Sequence, residues 1–142
     1  MIDFSLSWLP FVVVAVANFA VSWLYYSPAV PWFKTWQVGI GVDPKKKGMT
    51  EANRKAMPRM MGGAVVASLL LSYGLQVVVH SIRATSFGGT GALVGLVAWL
   101  AFVVTHSLNT QFEGRKPVLL LINNCLYALT YVVFGGVVAI WR

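Results

Sequence analysis

Acidic side chains and thiols are scarce in this sequence: only Asp3, Asp43, Glu51 and Glu113 carry carboxylates, and Cys125 is the one cysteine. A lone cysteine closes no disulfide, builds no zinc knuckle and forms no redox pair within one chain. Its place inside an apolar run also argues against a catalytic thiol. No multi-histidine metal set is present, because His80 and His106 are the only histidines. Gly88-Gly89-Thr90-Gly91 lacks the lysine and the preceding strand of a phosphate loop. Neither a metal nor a cofactor is therefore expected. Charge as a whole is thin, 11% of residues against about 25% in soluble proteins.

What replaces charge is hydrocarbon, with 58% of residues hydrophobic. Four runs are long enough to cross a bilayer as helices: Leu6 to Tyr26, Met60 to Ile82, Gly88 to Phe112 and Pro117 to Trp141. None contains Asp, Glu, Lys or Arg. In lipid each backbone amide must be satisfied within its own segment, so runs of this length form helices rather than the short alternating strands of a barrel. The fold class expected is all-α, a polytopic four-helix bundle occupying the whole chain. The alternative, a soluble protein with buried helices, leaves the lack of charge unexplained.

The net charge of +7 is read by position. Lys34, Lys45, Lys46, Lys47, Arg54, Lys55 and Arg59 fall between the first two runs, and Arg115 and Lys116 between the last two. Only Arg83 and Arg142 fall on the other side. The positive-inside rule then places the basic loop, residues 27–59, in the cytoplasm and both termini outside. Lys45, Lys46 and Lys47 are read as contacts for anionic lipid headgroups, and nucleic acid is not an expected partner. The apolar stretch from Leu6 is longer than a signal-peptide core and lacks a basic start, so it is read as a retained helix.

Polar residues within the runs are the candidates for function, because amides and ionisable groups at membrane depth are costly without partners. Asn18, Ser22 and Tyr25 share one face of the first run, with Trp23, Tyr26, Trp32 and Trp36 marking the interface. Thr50-Glu51 starts a short interfacial helix that Pro58 interrupts or hinges. In the second run Tyr73, Gln76 and His80 share a face, with His80 read as interfacial. Gly63 with Ala67, and Gly91 with Gly95, are small-residue pairs that allow close helix contact and a homodimer. Trp99, Phe102, His106, Asn109 and Glu113 follow at helical spacing in the third run. In the fourth, Asn123 and Tyr127 lie one turn apart, and Asn124 and Tyr131 occupy an adjacent face. Glu113 and Arg115 are close enough to pair across Gly114 and fix the turn.

Two segments together resemble a known family. The first runs from Asn18 through Tyr25-Tyr26-Ser27-Pro28 to Trp36. The second contains Asn109, Phe112-Glu113-Gly114-Arg115, Pro117, Leu121-Ile122-Asn123, Tyr127 and a close from Gly136 to Trp141. They are similar to the bacterial membrane family catalogued as domain of unknown function 1761, in the same four-run order. The resemblance implies a four-helix integral protein of a bacterial inner membrane and brings no reaction, ligand or catalytic residue.

The leading functional expectation is a non-enzymatic protein that binds or moves a small molecule, lipid or ion. Its polar interhelical site would lie in the cytoplasmic half and comprise Asn18, Tyr25, His106, Asn109, Asn123 and Tyr127. An accessory subunit that docks a partner or anionic lipid by its basic loop is the alternative. An intramembrane enzyme using His106 and Glu113 is disfavoured, because seven residues of helix separate the two by about 10 Å.

Overall fold

A computed structural model describes residues 1–43, 45 and 51–141; Lys46, Lys47 and the Thr50 helix start expected from sequence lie outside the described residues. All regular structure among them is helical. In chain order the α-helices are α1 (Trp8–Tyr25), α2 (Phe33–Gly39), α3 (Glu51–Ser81), α4 (Ala92–Ala98), α5 (Thr105–Asn109) and α6 (Pro117–Ile140). Four helical stretches are long and apolar enough to cross a membrane: Trp8–Tyr25, Arg54–Ser81, Gly89–Asn109 and Pro117–Ile140.

Local chemistry sets the boundaries. Ser7, in extended conformation, precedes α1, and Pro10 sits in its first turn, where the missing donor costs nothing. Lys116 is likewise extended, as residues before proline prefer, and Pro117 opens α6. Gly114, with φ of 74°, turns the chain between the third and fourth spans. Glu113 and Arg115 pair across it at 3.2 Å, both more than half exposed. α3 is one 31-residue helix that runs through Pro58, where a break or hinge was expected. Proline removes one bond, to the Arg54 carbonyl, and that turn is exposed, so another donor can reach the oxygen.

α6 is the central element. It packs on α4 on one side and on α3 on the other, and it also touches α1 and α2. Val14, Leu75, Val79, Ala84, Phe134, Val138 and Ala139 form the core, which lies at the end of the bundle carrying the chain termini. Gly91 and Gly95 bring the third span against the backbone of α6. A β-carbon on Gly91 would come within 2.6 Å of the Gly135 carbonyl oxygen, and one on Gly95 would collide with the Tyr131 carbonyl. These two glycines are thus spent inside the chain. Gly62, Gly63 and Gly74 have open space beside them.

The third span is not a uniform helix. Wide π turns at Phe87–Gly91 and Trp99–Val104 flank α4, and a 3₁₀ turn, Thr110–Glu113, closes the stretch after α5. A π turn accommodates one extra residue and advances the following side chains by about 100°. Gly91, Gly95 and Ala98 are buried, and unbroken α geometry would continue that face near Phe102 and His106. Instead Ser107 and Thr110 are buried, while Phe102, His106 and Asn109 are exposed. The extra residue moves the buried face from His106 to its neighbour.

Candidate functional site

The densest buried polar array lies between α1 and α3. Ser68, Ser72, Gln76 and His80 recur every four residues of α3, which places them in one row along the helix, and all four are buried. The Asn18 amide donates to Ser68 Oγ at 2.8 Å. Ser72 Oγ donates to the Phe11 carbonyl at 2.8 Å. Gln76, with no exposed surface, accepts from the Ser7 amide at 2.9 Å and donates back to the Ser7 carbonyl at 3.3 Å. His80 Nδ1 lies 3.3 Å from Ser5 Oγ. Beyond it the Asp3 amide donates to Ser81 Oγ at 2.8 Å. Residues 3, 5 and 7, at alternate positions ahead of α1, are thereby laid along the last turns of α3.

Such bonds can be purely adhesive, worth roughly 0.6 kcal/mol each between membrane helices. Two features distinguish this row. His80 is only 8% exposed, and its Nε2 is buried with no hydrogen-bond partner among the described residues. The row also opens onto a cavity of about 480 Å³ at the termini end, lined by Asp3, Ser5, Ser7, His80, Ser81 and Arg83 together with Met1, Ile2 and Phe4. A buried ring nitrogen without a partner is uncommon, since such groups normally find protein or water, and among the described residues Trp99 Nε1 is the other case. Among the described residues no group of three His, Cys, Asp or Glu side chains is placed to hold a metal.

The opposite end of the bundle is organised by aromatics. Tyr25 Oη donates to the Ile122 carbonyl at 2.9 Å, and Tyr26 Oη donates to Asn123 Oδ1 at 2.7 Å. Trp32 Nε1 donates to the Tyr25 carbonyl at 3.0 Å. The Tyr26 ring lies 5.0 Å from Trp36, centroid to centroid. The side chain of Leu119 fills the space beside Gly39, and Lys116 Nζ donates to the Val38 carbonyl at 3.3 Å, so α2 is seated on the start of α6. Burial, with Tyr127 and Tyr25 nearby, holds the Tyr26 hydroxyl well above the ordinary phenol range, so it remains a proton donor at physiological pH. This clasp joins the Tyr25-Tyr26-Ser27-Pro28 segment to Ile122-Asn123, and its donors and acceptors are matched.

The six residues expected to share a site are divided among three places. Asn18 belongs to the α1–α3 row, and Tyr25 and Asn123 to the aromatic clasp. His106 and Asn109 lie on the exposed face of the third span, and Tyr127 is also exposed. Toward α6 the third span presents Ser107, whose Oγ lies 3.3 Å from Asn124 Oδ1. Of the three lysines assigned to headgroups only Lys45 is described; it is exposed, and its amide donates to Asp43. Ser68, Ser72 and Gln76 with His80 form the array that the sequence reading did not assemble. Their signal was a spacing of four, while Tyr73, grouped with Gln76 and His80 by spacing, is exposed.

A family model described as "Protein of unknown function (DUF1761)" matches residues 9–139, nearly the whole chain. No curated protein and no solved structure matches it.

Proposed function

The chain belongs to the DUF1761 family of proteins of unknown function, and from that premise we propose that it is an integral membrane protein that binds a small ligand non-enzymatically. The four spans and the large apolar side chains on their outer surfaces, among them Val16, Leu70, Val97, Leu121 and Leu129, support insertion. The positive-inside rule puts the basic segment in the cytoplasm and the cavity at His80 on the outer face. The observation that carries the binding reading is the cavity itself, lined by Asp3, Ser5, Ser7 and Ser81 together with His80, whose Nε2 is buried and has no hydrogen-bond partner among the described residues. Hydroxyl or amine groups of a ligand suit that polar lining. This moves the site from the cytoplasmic half, where sequence spacing put it, to the opposite mouth of the bundle.

Delipidated protein should gain thermal stability when an extract of its own membranes is added back. We expect His80→Phe to lose most of that gain and His106→Ala to keep it. Equal gains in wild type and His80→Phe would contradict the site.

A second reading concerns the basic end. Lys34, Lys45, Arg54, Lys55 and Arg59 are all exposed, and α2 and the residue after it expose Val38 and Ile40. Exposed cations beside exposed aliphatics suit an anionic headgroup surface, which supports lipid docking by this segment. The enzyme reading has little support, because Glu113 is engaged by Arg115 and His106 lies on an exposed face.

A further inference from the structure

The last turn of α3 faces two cavities of opposite character. Its polar side, with His80, Ser81 and then Arg83, lines the cavity just described. Its apolar side, with Val78 and Ile82, forms a groove of about 250 Å³ with Leu93, Val94, Val97, Ala98 and Phe102 of the third span. Nothing polar lines that groove. From Leu93 to Phe102 it follows nine residues of helix, about 13 Å, close to the depth of one leaflet in a hydrocarbon core of about 30 Å.

Arg83 lines the polar cavity and directly follows Ile82 of the groove in sequence, and its backbone is unusual. α3 ends in a left-handed turn in which the Arg83 amide donates to the His80 carbonyl at 2.9 Å and the Ala84 amide to the Val79 carbonyl at 3.0 Å. Ala84, fully buried, supplies the apolar contact that completes this helix stop. The left-handed residue of such a stop is usually glycine, which adopts it without steric cost. Here it is Arg83, at φ of 56°. A long cation occupies a position where backbone chemistry favours no side chain, one residue beyond the apolar groove and on the same cavity as Ser5, Ser7 and His80.

We infer that this junction binds a phospholipid with a hydroxylated headgroup, of the phosphatidylglycerol type. One acyl chain lies in the groove, the phosphodiester is paired with Arg83, and the headgroup hydroxyls enter the cavity of Ser5, Ser7 and His80. Charge complementarity selects the phosphate: among the described residues Arg83 is the one Lys or Arg side chain at this end. Asp3, whose carboxylate accepts from the Ser5 amide at 2.8 Å, disfavours a second anion in the same cavity. The inference rests on the binding reading above and names its ligand.

The test is native mass spectrometry of the full-length protein in detergent, titrated with dioleoyl phosphatidylglycerol or dioleoyl phosphatidylcholine, whose tails are identical. Wild type should hold phosphatidylglycerol at least fivefold more fully than phosphatidylcholine. Arg83→Gly should lose that adduct fivefold or more, while its thermal midpoint stays equal or rises, because glycine relieves the turn. Val97→Trp, which fills the groove from an exposed position, should lose it as well. Undiminished phosphatidylglycerol in Arg83→Gly would overturn the proposal. If Val97→Trp keeps the adduct and free glycerol phosphate competes for it, the ligand is water-soluble and only the lipid assignment falls. If His80→Phe also leaves every adduct unchanged, the binding reading itself falls.

Discussion

Gly95→Leu should destabilise the bundle by about 3 kcal/mol or more, at or beyond the upper end of ordinary overpacking. The reason is the identity of the neighbour. Any β-carbon at Gly95 would collide with the Tyr131 carbonyl and lie 3.2 Å from the Val132 Cα, so the obstruction is backbone of α6 and cannot rotate away. The third span would have to lift off α6, separating Gly91 from Gly135 as well. Gly63→Leu is the matched control, since nothing lies within 4 Å of its β-position. Unfolding monitored in a fixed detergent should show a large loss for the first and little change for the second. Similar losses for both would mean that glycine composition, rather than close approach at Gly95, governs stability.

Gln76→Leu should cost about 2–3 kcal/mol although volume is nearly conserved. Both ends of the Gln76 amide are bonded to Ser7, and leucine returns neither bond. The Ser7 carbonyl keeps the Phe11 amide as donor at 3.0 Å, but the Ser7 N–H loses its acceptor at the start of α1, and an orphaned donor costs about 1–3 kcal/mol. The consequence is local before it is global. The segment of residues 3–7 is held along α3 by Gln76, His80 and Ser81, so removing the first anchor should free the wall of the cavity. Hydrogen exchange should rise in the segment preceding Trp8 while the α6 core stays protected. Uniform protection across the segment would show that Gln76 is a passive filler.

Length and hydropathy made four helices of membrane-crossing length legible from sequence, because those properties depend only on composition over some 20 residues. The family was legible from two local motifs. Side-chain facing was legible only where the helix stayed regular. α3 is regular across Ser68, Ser72, Gln76 and His80, and its row was in principle readable at a spacing of four. In the third span the π turn at Trp99–Val104 shifts the register by one residue, and no 3.6-residue extrapolation from Trp99 can place His106 correctly. Asn18 illustrates a second limit. Its burial was foreseeable from the cost of a free amide, but its partner, Ser68, is fixed by how α1 lies on α3. The unusual cation at Arg83 was invisible for a third reason, since a positive φ is a property of the turn and not of the residue in it.

The two histidines of this chain allow a direct comparison of the two mouths of the bundle. Protein labelled with ¹⁵N only at histidine gives ring signals from His80 and His106 alone, assigned by His106→Gln. On saturation with dioleoyl phosphatidylglycerol we expect a shift of the His80 ring resonances, because His80 lines the cavity that fills, and no shift at His106. A shift confined to His106, with His80 unmoved, would contradict it and move the site to the other end of the bundle.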